Sequence, residues 1–391
     1  MAFTESEWFA HVPLTINHEK VPATMPDGGE SGFATQFGIK NGGANWEGDA
    51  AKIFAKVNNY ANDIAIVLPD GSTQLRHVIK EYNGAGGSEL LVAHILVPSI
   101  AGATDTDVWL YYRDDGAADQ QQTVYLAADH WAAYYSLHEA AAGIGTASVY
   151  KDLSEGAHHG TDNVSAAGKT GQVGLGQELD GTDDYVLIPD HDDFTPASGL
   201  TVLCWVNPDS WVTDNKGMVA QFLGAGNQRS WVLLGVPSAG DGLLYGAVSA
   251  NGSGSVNSGS AGTLGTGSWR HCGFTWEPST AIRAYIDGSE GAVNTTSIPA
   301  SLHNSTADVW IGSQYDLVTG ADQSFFDGLV DEVAIRSVAS SANWIATTRN
   351  CQFDPDFWTV GSEVLVSKLY RLRRFNPRII VPGMNPGFMT F

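Results

Sequence analysis

Leu200-Thr-Val-Leu-Cys-Trp-Val206 gathers β-branched, aliphatic and aromatic side chains into seven residues and is closed by Asn207-Pro208. The run is too short for an ordinary helix and rich in residue types that suit a pleated surface, so it reads as a strand. The same signature recurs outward from it, at 185–188 upstream and at 231–234, 273–276, 284–286, 309–311 and 329–335 downstream, with Gly, Asp, Asn and Pro between. Short strands punctuated in this way are the pattern of an all-β sandwich. Within this region 251–267 is Gly/Ser-rich with almost no apolar anchor and predicts a long mobile hairpin or loop. Ser340 or Ser341 is placed to cap a short helix through Trp344 and Ile345, because a Ser oxygen accepts from free first-turn amides.

Earlier in the chain, 12–16, 63–68, 90–97 and 108–112 read as strands, Pro69-Asp70-Gly71-Ser72 as a turn, and 51–57 as a short helix. Polar 116–122 marks a boundary. Ala-rich 127–142 fits a helix or a strand, and Tyr134, Tyr135 and Leu137 beside a Gly-rich turn favour the strand. The expected organisation is an N-terminal β-sandwich over 1–123, a second sandwich over 124–363 and an extension over 364–391.

The chain has 391 residues, 45 of them Gly, with 12 Trp, 13 Tyr and 15 Phe, too much large apolar surface for a disordered polymer. Its net charge of -23 argues against nucleic acid and against an anionic membrane surface. Cys204, Cys272 and Cys351 are odd in number and widely spaced, so they read as reduced, buried small hydrophobes. No stretch is long and apolar enough to insert in a membrane, and the N-terminus lacks the pattern of an ordinary secretory signal. The last 24 residues, KLYRLRRFNPRIIVPGMNPGFMTF, reverse the balance with five basic residues and no acid.

The blocks 179–188, 200–208, 269–276, 284–288, 310–312 and 326–335 resemble, in order and spacing, the laminin-G-like, concanavalin A-like jelly roll, with 341–345 and 353–363 similar to its closing segment. Residues 8–16, 62–67, Gly71, 97–98 and 108–112, with 135–139 and Asp152, resemble the domain of unknown function common before such jelly rolls in bacterial, archaeal and phage surface proteins. The resemblances imply all-β architecture, two sandwiches (jelly rolls) in series, and binding or structural roles. They also imply a calcium beside the first and last strands, with ligands at Asp180 or Asp184 and at Asp331. The bland alternative is that Asp331, which shares a face with Leu329, Val333 and Ile335, accepts backbone amides and that the other acids are solvated turns.

Catalytic patterns are missing. No Glu-x-Asp-x-Glu triplet sets two carboxylates on one strand face, and adjacent Asp331-Glu332 are expected to point to opposite faces. Gly168-Lys169-Thr170 lacks the first Gly of a phosphate loop, and His158-His159, His130 and His138 have no regular spacing and read as solvated loop residues. Sugar binding needs aromatic platforms, for which Trp211, Trp231, Tyr245 and Tyr315 lie near expected loops. The resulting expectation is a non-enzymatic protein of a phage or phage-like virion, in a tail, a fibre or a capsid decoration, that oligomerises with its own copies, docks on other virion structural proteins and takes host surface glycans. The competing readings are a cell-surface or extracellular adhesin and a polysaccharide-degrading enzyme.

Attachment is assigned to the tail, through Arg371, Arg373, Arg374 and Arg378 with Phe375 and Phe388, whose charge opposes the body's and whose Pro377, Pro382 and Pro386 disfavour a continuous helix. Truncation after Ser367 is expected to leave the melting curve unchanged while abolishing self-association or incorporation into particles, measured by light scattering and particle sedimentation; normal assembly of the truncated chain refutes the assignment.

Overall fold

In the computed structural model, residues 3–5, 8–43, 48–112, 118–165, 168–211, 214–314 and 324–366 are described. Side-chain alternation builds the layers. Along Leu200–Pro208, Val202, Cys204 and Val206 enter one core together with Phe274, Trp276 and Ile335, whereas Leu203 joins another core shared with the N-terminal region. Among the described residues the strand pairs are antiparallel, so each sheet offers two faces to be covered.

The N-terminal sandwich packs two sheets. In one, Ala10–Ile16 lies between Trp358–Val360 and Thr106–Tyr112, and Ile64–Val67 follows; the other is Phe33–Lys40, Leu90–Val97 and His77–Asn83. Val12, Leu14, Ile66 and Leu110 meet Phe37, Ile39, Leu91 and Ile95 between them. The expected strands are present, and Ala50–Phe54 is the short helix. Phe33–Lys40 and His77–Asn83 were not expected, since Gln, Gly, Lys and Glu interrupt their apolar pattern. Residues 353–363, read with the second sandwich, instead turn back. Trp358–Val360 and Val364–Leu365 pair with Ala10–Ile16, and the Trp358 indole donates to Gln36 O at 2.7 Å while packing edge-on to Phe37. That return covers the edge that Ala10–Ile16 would otherwise expose.

The second sandwich faces one eight-stranded sheet against another. The inner sheet runs through Lys169–Thr170, Leu175–Asp180, Asp327–Arg336, Leu200–Pro208, Arg270–Glu277, Ala281–Ile286 and Ser289–Asn294, with Trp131–Tyr135 also on Asp327–Arg336. The outer sheet runs Val256–Asn257, Asp241–Gly252, Gln228–Ser238, Lys216–Leu223, Val309–Ile311, Tyr185–Ile188, Gly160–Asn163 and Thr146–Tyr150. Residues 251–267 are not a free loop: Ser258 donates to Gly246 O, Ala261 to Leu244 O and Leu264 to Gly242 O, and the Leu264 side chain is buried. A Gly/Ser run carries little side-chain signal of such pairing, because the pairing bonds are mainly backbone.

Helix Ala342–Phe353 lies between the sandwiches, started by Ser341, whose hydroxyl accepts from Trp344 N at 3.0 Å. Trp344 meets Phe33 on one side and Trp131 on the other. Around the helix the seam is charged. Lys80, on His77–Asn83, has no exposed side-chain surface; its Nζ lies 2.6 Å from Glu332 Oε1 and 3.4 Å from Asp331 Oδ1, both also sealed. At the end of Asp327–Arg336, Arg336 pairs with Glu30 at 2.7 Å, its guanidinium 4.0 Å from the Trp344 ring centre and 5.2 Å from that of Trp131.

Asp331 and Glu332 therefore do not point to opposite faces. A register shift between Leu203 and Trp205 and a left-handed Glu332 (φ 51°) make a bulge that turns both carboxylates toward Lys80. Burial raises the Asp331 carboxyl to about 6, with the Lys80 ammonium opposing the shift. The folded state then holds this proton more tightly than an unfolded Asp near 3.9, so the residue's contribution to stability falls as pH rises from about 4 to 6. Lys80→Met leaves two buried carboxylates without a cation and is expected to cost about 3–5 kcal/mol in a denaturant melt. Adding Asp331→Asn and Glu332→Gln to it is expected to recover most of that loss; no recovery would mean that the lysine acts through packing alone.

Candidate functional site

The outer sheet of the second sandwich has two apolar faces. On Gln228–Ser238, Trp231 and Leu233 enter the core, and the alternate residues Val232 and Leu234 point outward with Ala220, Phe222 and Ala247. Tyr245, opposite Leu234 in the ladder, and Val236 lean over this outward cluster half-buried. The result is a groove of about 290 Å³ whose floor is Phe222, Val232, Leu234 and Ala247 and whose walls carry Tyr245, Asn215, Ser255, Asn257 and Gln314. Gln314 is 1% exposed and its Oε1 has no hydrogen-bond partner among the described residues. A buried, unpaired amide oxygen is costly in an isolated protein and favourable where a ligand hydroxyl completes it. The described lining carries no carboxylate and no histidine, so it offers stacking, apolar contact and amide hydrogen bonds.

Of the aromatics expected as platforms, Tyr245 is the only one among the described residues that reaches this groove. Trp211 is 4% exposed, wedged against Gly235 and Gly242, where a Cβ would come within 2.1 and 2.4 Å of its ring, and its indole donates to Gly265 O at 2.7 Å. Trp231 is wholly buried and donates to Phe194 O at 2.8 Å. Both are core residues whose N–H finds a backbone acceptor, and proximity to a loop in sequence did not distinguish them. Tyr315 lies outside the described residues, as do Arg371, Arg373, Arg374, Phe375, Arg378 and Phe388. Phe222, Asn215, Asn257 and Gln314 were missed. The alternation of Val232, Leu234 and Val236 with core Trp231 and Leu233 is the one sequence signal that could have found the groove, since an apolar residue at every position marks a strand with two covered faces.

The three carboxylates implied for calcium separate into two places. Asp180, Asp183 and Asp184 do converge, with one oxygen of each inside 4.8 Å of the others. Asp180 Oδ1 accepts the amides of Thr182, Asp183 and Asp184, and buried Asp184 accepts from Ser165 N at 2.7 Å, Ser165 Oγ at 3.3 Å and Asp180 N at 3.1 Å. Asp331 is elsewhere: Asp180 pairs with Asp327, four residues back along the strand, and Asp331 Oδ2 accepts Val173 N at 2.8 Å while Oδ1 faces Lys80. The implied set of Asp180 or Asp184 with Asp331 does not fit one ion, because the strand register keeps them apart and a buried ammonium already meets Asp331.

Residues 180–346 match the model of the Laminin_G_3 family, described as the concanavalin A-like lectin/glucanases superfamily. The groove's described lining falls wholly inside that match. Among solved structures, the chain is similar to domain 4 of AbnA, a GH43 extracellular arabinanase from Geobacillus stearothermophilus in complex with arabinotriose, at 21% identity and TM-score 0.38, covering 49% of this chain and 88% of that one. It is also similar to the binding domain of Paraclostridial Mosquitocidal Protein 1, at 12% identity and TM-score 0.43, covering 56% of this chain and 52% of that one. The ligand binding domain of Botulinum neurotoxin serotype D in complex with N-acetylneuraminic acid gives 10% identity and TM-score 0.40, covering 56% and 50%. The chain thus spans about half the length of the two toxin domains. No curated protein matches the sequence.

Because backbone amides and a serine hydroxyl fill the lone pairs of Asp184, Asp184→Ala is expected to cost about 1–3 kcal/mol through the amides it strands. The drop in melting temperature should be equal in chelator and in millimolar calcium; a drop seen only with calcium would make the turn a cation site.

Proposed function

We propose that the chain is a non-enzymatic binding protein that holds a glycan in the outer-sheet groove, as part of a phage or phage-like particle. The observation that carries the binding reading is the groove's makeup, a half-buried tyrosine over an apolar floor, rimmed by amides and a hydroxyl, with a Gln314 oxygen unpaired among the described residues. Sugar rings present apolar C–H faces between hydroxyls, and such a surface complements both. The volume suits one or two sugar units and excludes a long buried chain. Hydrolysis calls for two carboxylates flanking the scissile bond, and the described groove lining has none, while Asp331 and Glu332 are sealed in the seam with Lys80. The particle reading rests on the basic, apolar tail of an acidic chain, a segment suited to docking on a partner.

A glycan array with the whole chain tests the reading. Tyr245→Ala is expected to weaken binding of any array hit about tenfold or more, as loss of a stacking contact and its burial would, while the melt stays near that of the parent. Release of reducing ends from a bound polysaccharide, abolished by replacing one acidic residue, would turn the binding protein into an enzyme.

A further inference from the structure

At the end of the second sandwich where the chain enters Gly160–Asn163, two loops far apart in sequence bring three metal-ligating side chains together. His158 Nε2 lies 2.9 Å from Asp193 Oδ2, and His191 Nδ1 lies 3.2 Å from the same oxygen. The two imidazoles sit with ring centres 4.3 Å apart, and one donor atom from each of the three residues falls inside a 4.8 Å sphere of the others. Four ligands held tetrahedrally at about 2.0–2.2 Å from a zinc ion are about 3.3–3.6 Å from one another, close to the two separations from Asp193. We propose that His158, His191 and Asp193 form a binding site for a zinc-class transition-metal dication.

Three features favour a cation over a surface pair of histidines. The first is rigidity: His158 is fixed through its backbone, its N–H donating to buried Asp152 at 2.8 Å and its carbonyl accepting the Tyr135 hydroxyl at 2.5 Å. Asp152 also accepts from Tyr134 N and from Ser154 N and Oγ, so the loop that carries His158 is held from four sides. The second is room. A Cβ at Gly156 would fall 2.7 Å from His158 Nε2, and glycine there lets the ring take this orientation against Phe194.

The third is donor convergence. His191 Nδ1 accepts the Asp193 amide at 3.2 Å and lies 3.2 Å from the Asp193 carboxylate oxygen, so in that tautomer the single Nδ1 lone pair is given to the amide. A dication would take over that lone pair, at the expense of the amide hydrogen bond, and bond the carboxylate and His158 as well. Two imidazoles and one carboxylate are a donor set that selects zinc-class ions over calcium, which prefers oxygen alone. His191 and Asp193 are about half exposed, at 52% and 49%, so the fourth position opens to solvent, for water or an oxygen of a ligand. The metal would tie the 152–160 loop to the turn after Tyr185–Ile188, beyond the ladder that joins Gly160–Asn163 to Tyr185–Ile188.

The experiment is calorimetric titration of the untagged full chain with zinc chloride, paired with cobalt(II) absorption to read coordination geometry. One zinc per chain, a rise in melting temperature and the intense visible bands of tetrahedral cobalt are expected. His191→Ala and Asp193→Ala, both at exposed positions, are expected to weaken zinc at least tenfold and to erase the shift in melting while leaving the metal-free melt near that of the parent. His18→Ala, which removes a histidine paired with Asp105 elsewhere, should change neither. Absence of stoichiometric zinc binding, or binding equal in parent and His191→Ala, overturns the proposal and leaves a hydrogen-bonded His-Asp-His trio.

Discussion

An ammonium group sealed from water has to be met by carboxylates at contact distance, and the seam between the two sandwiches is organised around that requirement. Lys80 comes from the N-terminal sandwich and finds Asp331 and Glu332 on the second; Arg336, five residues beyond Asp331, returns the interaction by pairing with Glu30. One strand thus carries both halves of the latch. Hydrogen bonds extend it: Glu332 accepts the Tyr134 hydroxyl, to which Gln36 and Gln352 donate at 2.9 and 3.3 Å, and the Trp205 indole reaches Gln352 at 2.7 Å. Members of this network come from both sandwiches and from the helix between them, so none of the three can shift without stranding a buried polar group.

The position of the groove follows from that commitment. With the outward face of its central strands packed on the helix and the N-terminal sandwich, the inner sheet keeps exposed surface mainly at its edge strands, as Leu203, Tyr285 and Ala334 show by joining the N-terminal core. The opposite sheet keeps its outer face uncovered among the described residues, and there the second apolar row of Gln228–Ser238 lines the groove. The histidine-aspartate cluster belongs to loops at an end of the same sandwich, where backbone is held by Asp152 instead of by a ladder.

What was legible in the sequence tracks how strictly the chain kept its periods. Strands such as Val309–Ile311 and Leu90–Val97, and the helix after Ser341, announced themselves because apolar periodicity and capping chemistry agreed. Strands such as Phe33–Lys40 did not, since Thr35 and Gln36 are buried polar residues and the partners of Gln36, Tyr125 and Tyr134, lie far off in sequence. Trp358 completing the first sheet was invisible for the same reason: strand pairing over more than 340 residues leaves no local mark. Of the expected platform aromatics, Tyr245 borders the groove, whereas Trp211 and Trp231 went to the core because an indole with a backbone acceptor buries as readily as it stacks. Lys80 had no signal at all. A lone lysine in a strand reads as solvated until the carboxylates opposite it are known.

Bulges explain why period-2 reasoning failed most at the seam. Ladder registers shift at Lys80 between Ile79 and Glu81, and beside Glu332 between Leu203 and Trp205, so on both strands the charged residue is the one that leaves the alternation. A regular Asp327–Arg336 would point Asp331 and Glu332 to opposite faces, sending one carboxylate into the apolar core beside Val330 and Val333. The bulge instead keeps Val330, Val333 and Ile335 in that core and places both acids against Lys80. Apolar residues of similar volume would hold the seam as tightly, or more so, because burying charge is expensive even when it is paired. They would hold it in any register. With an ammonium on one surface and two carboxylates on the other, a one-residue slip leaves buried charges unpaired, and the sandwiches are confined to the single docking that the bulges allow.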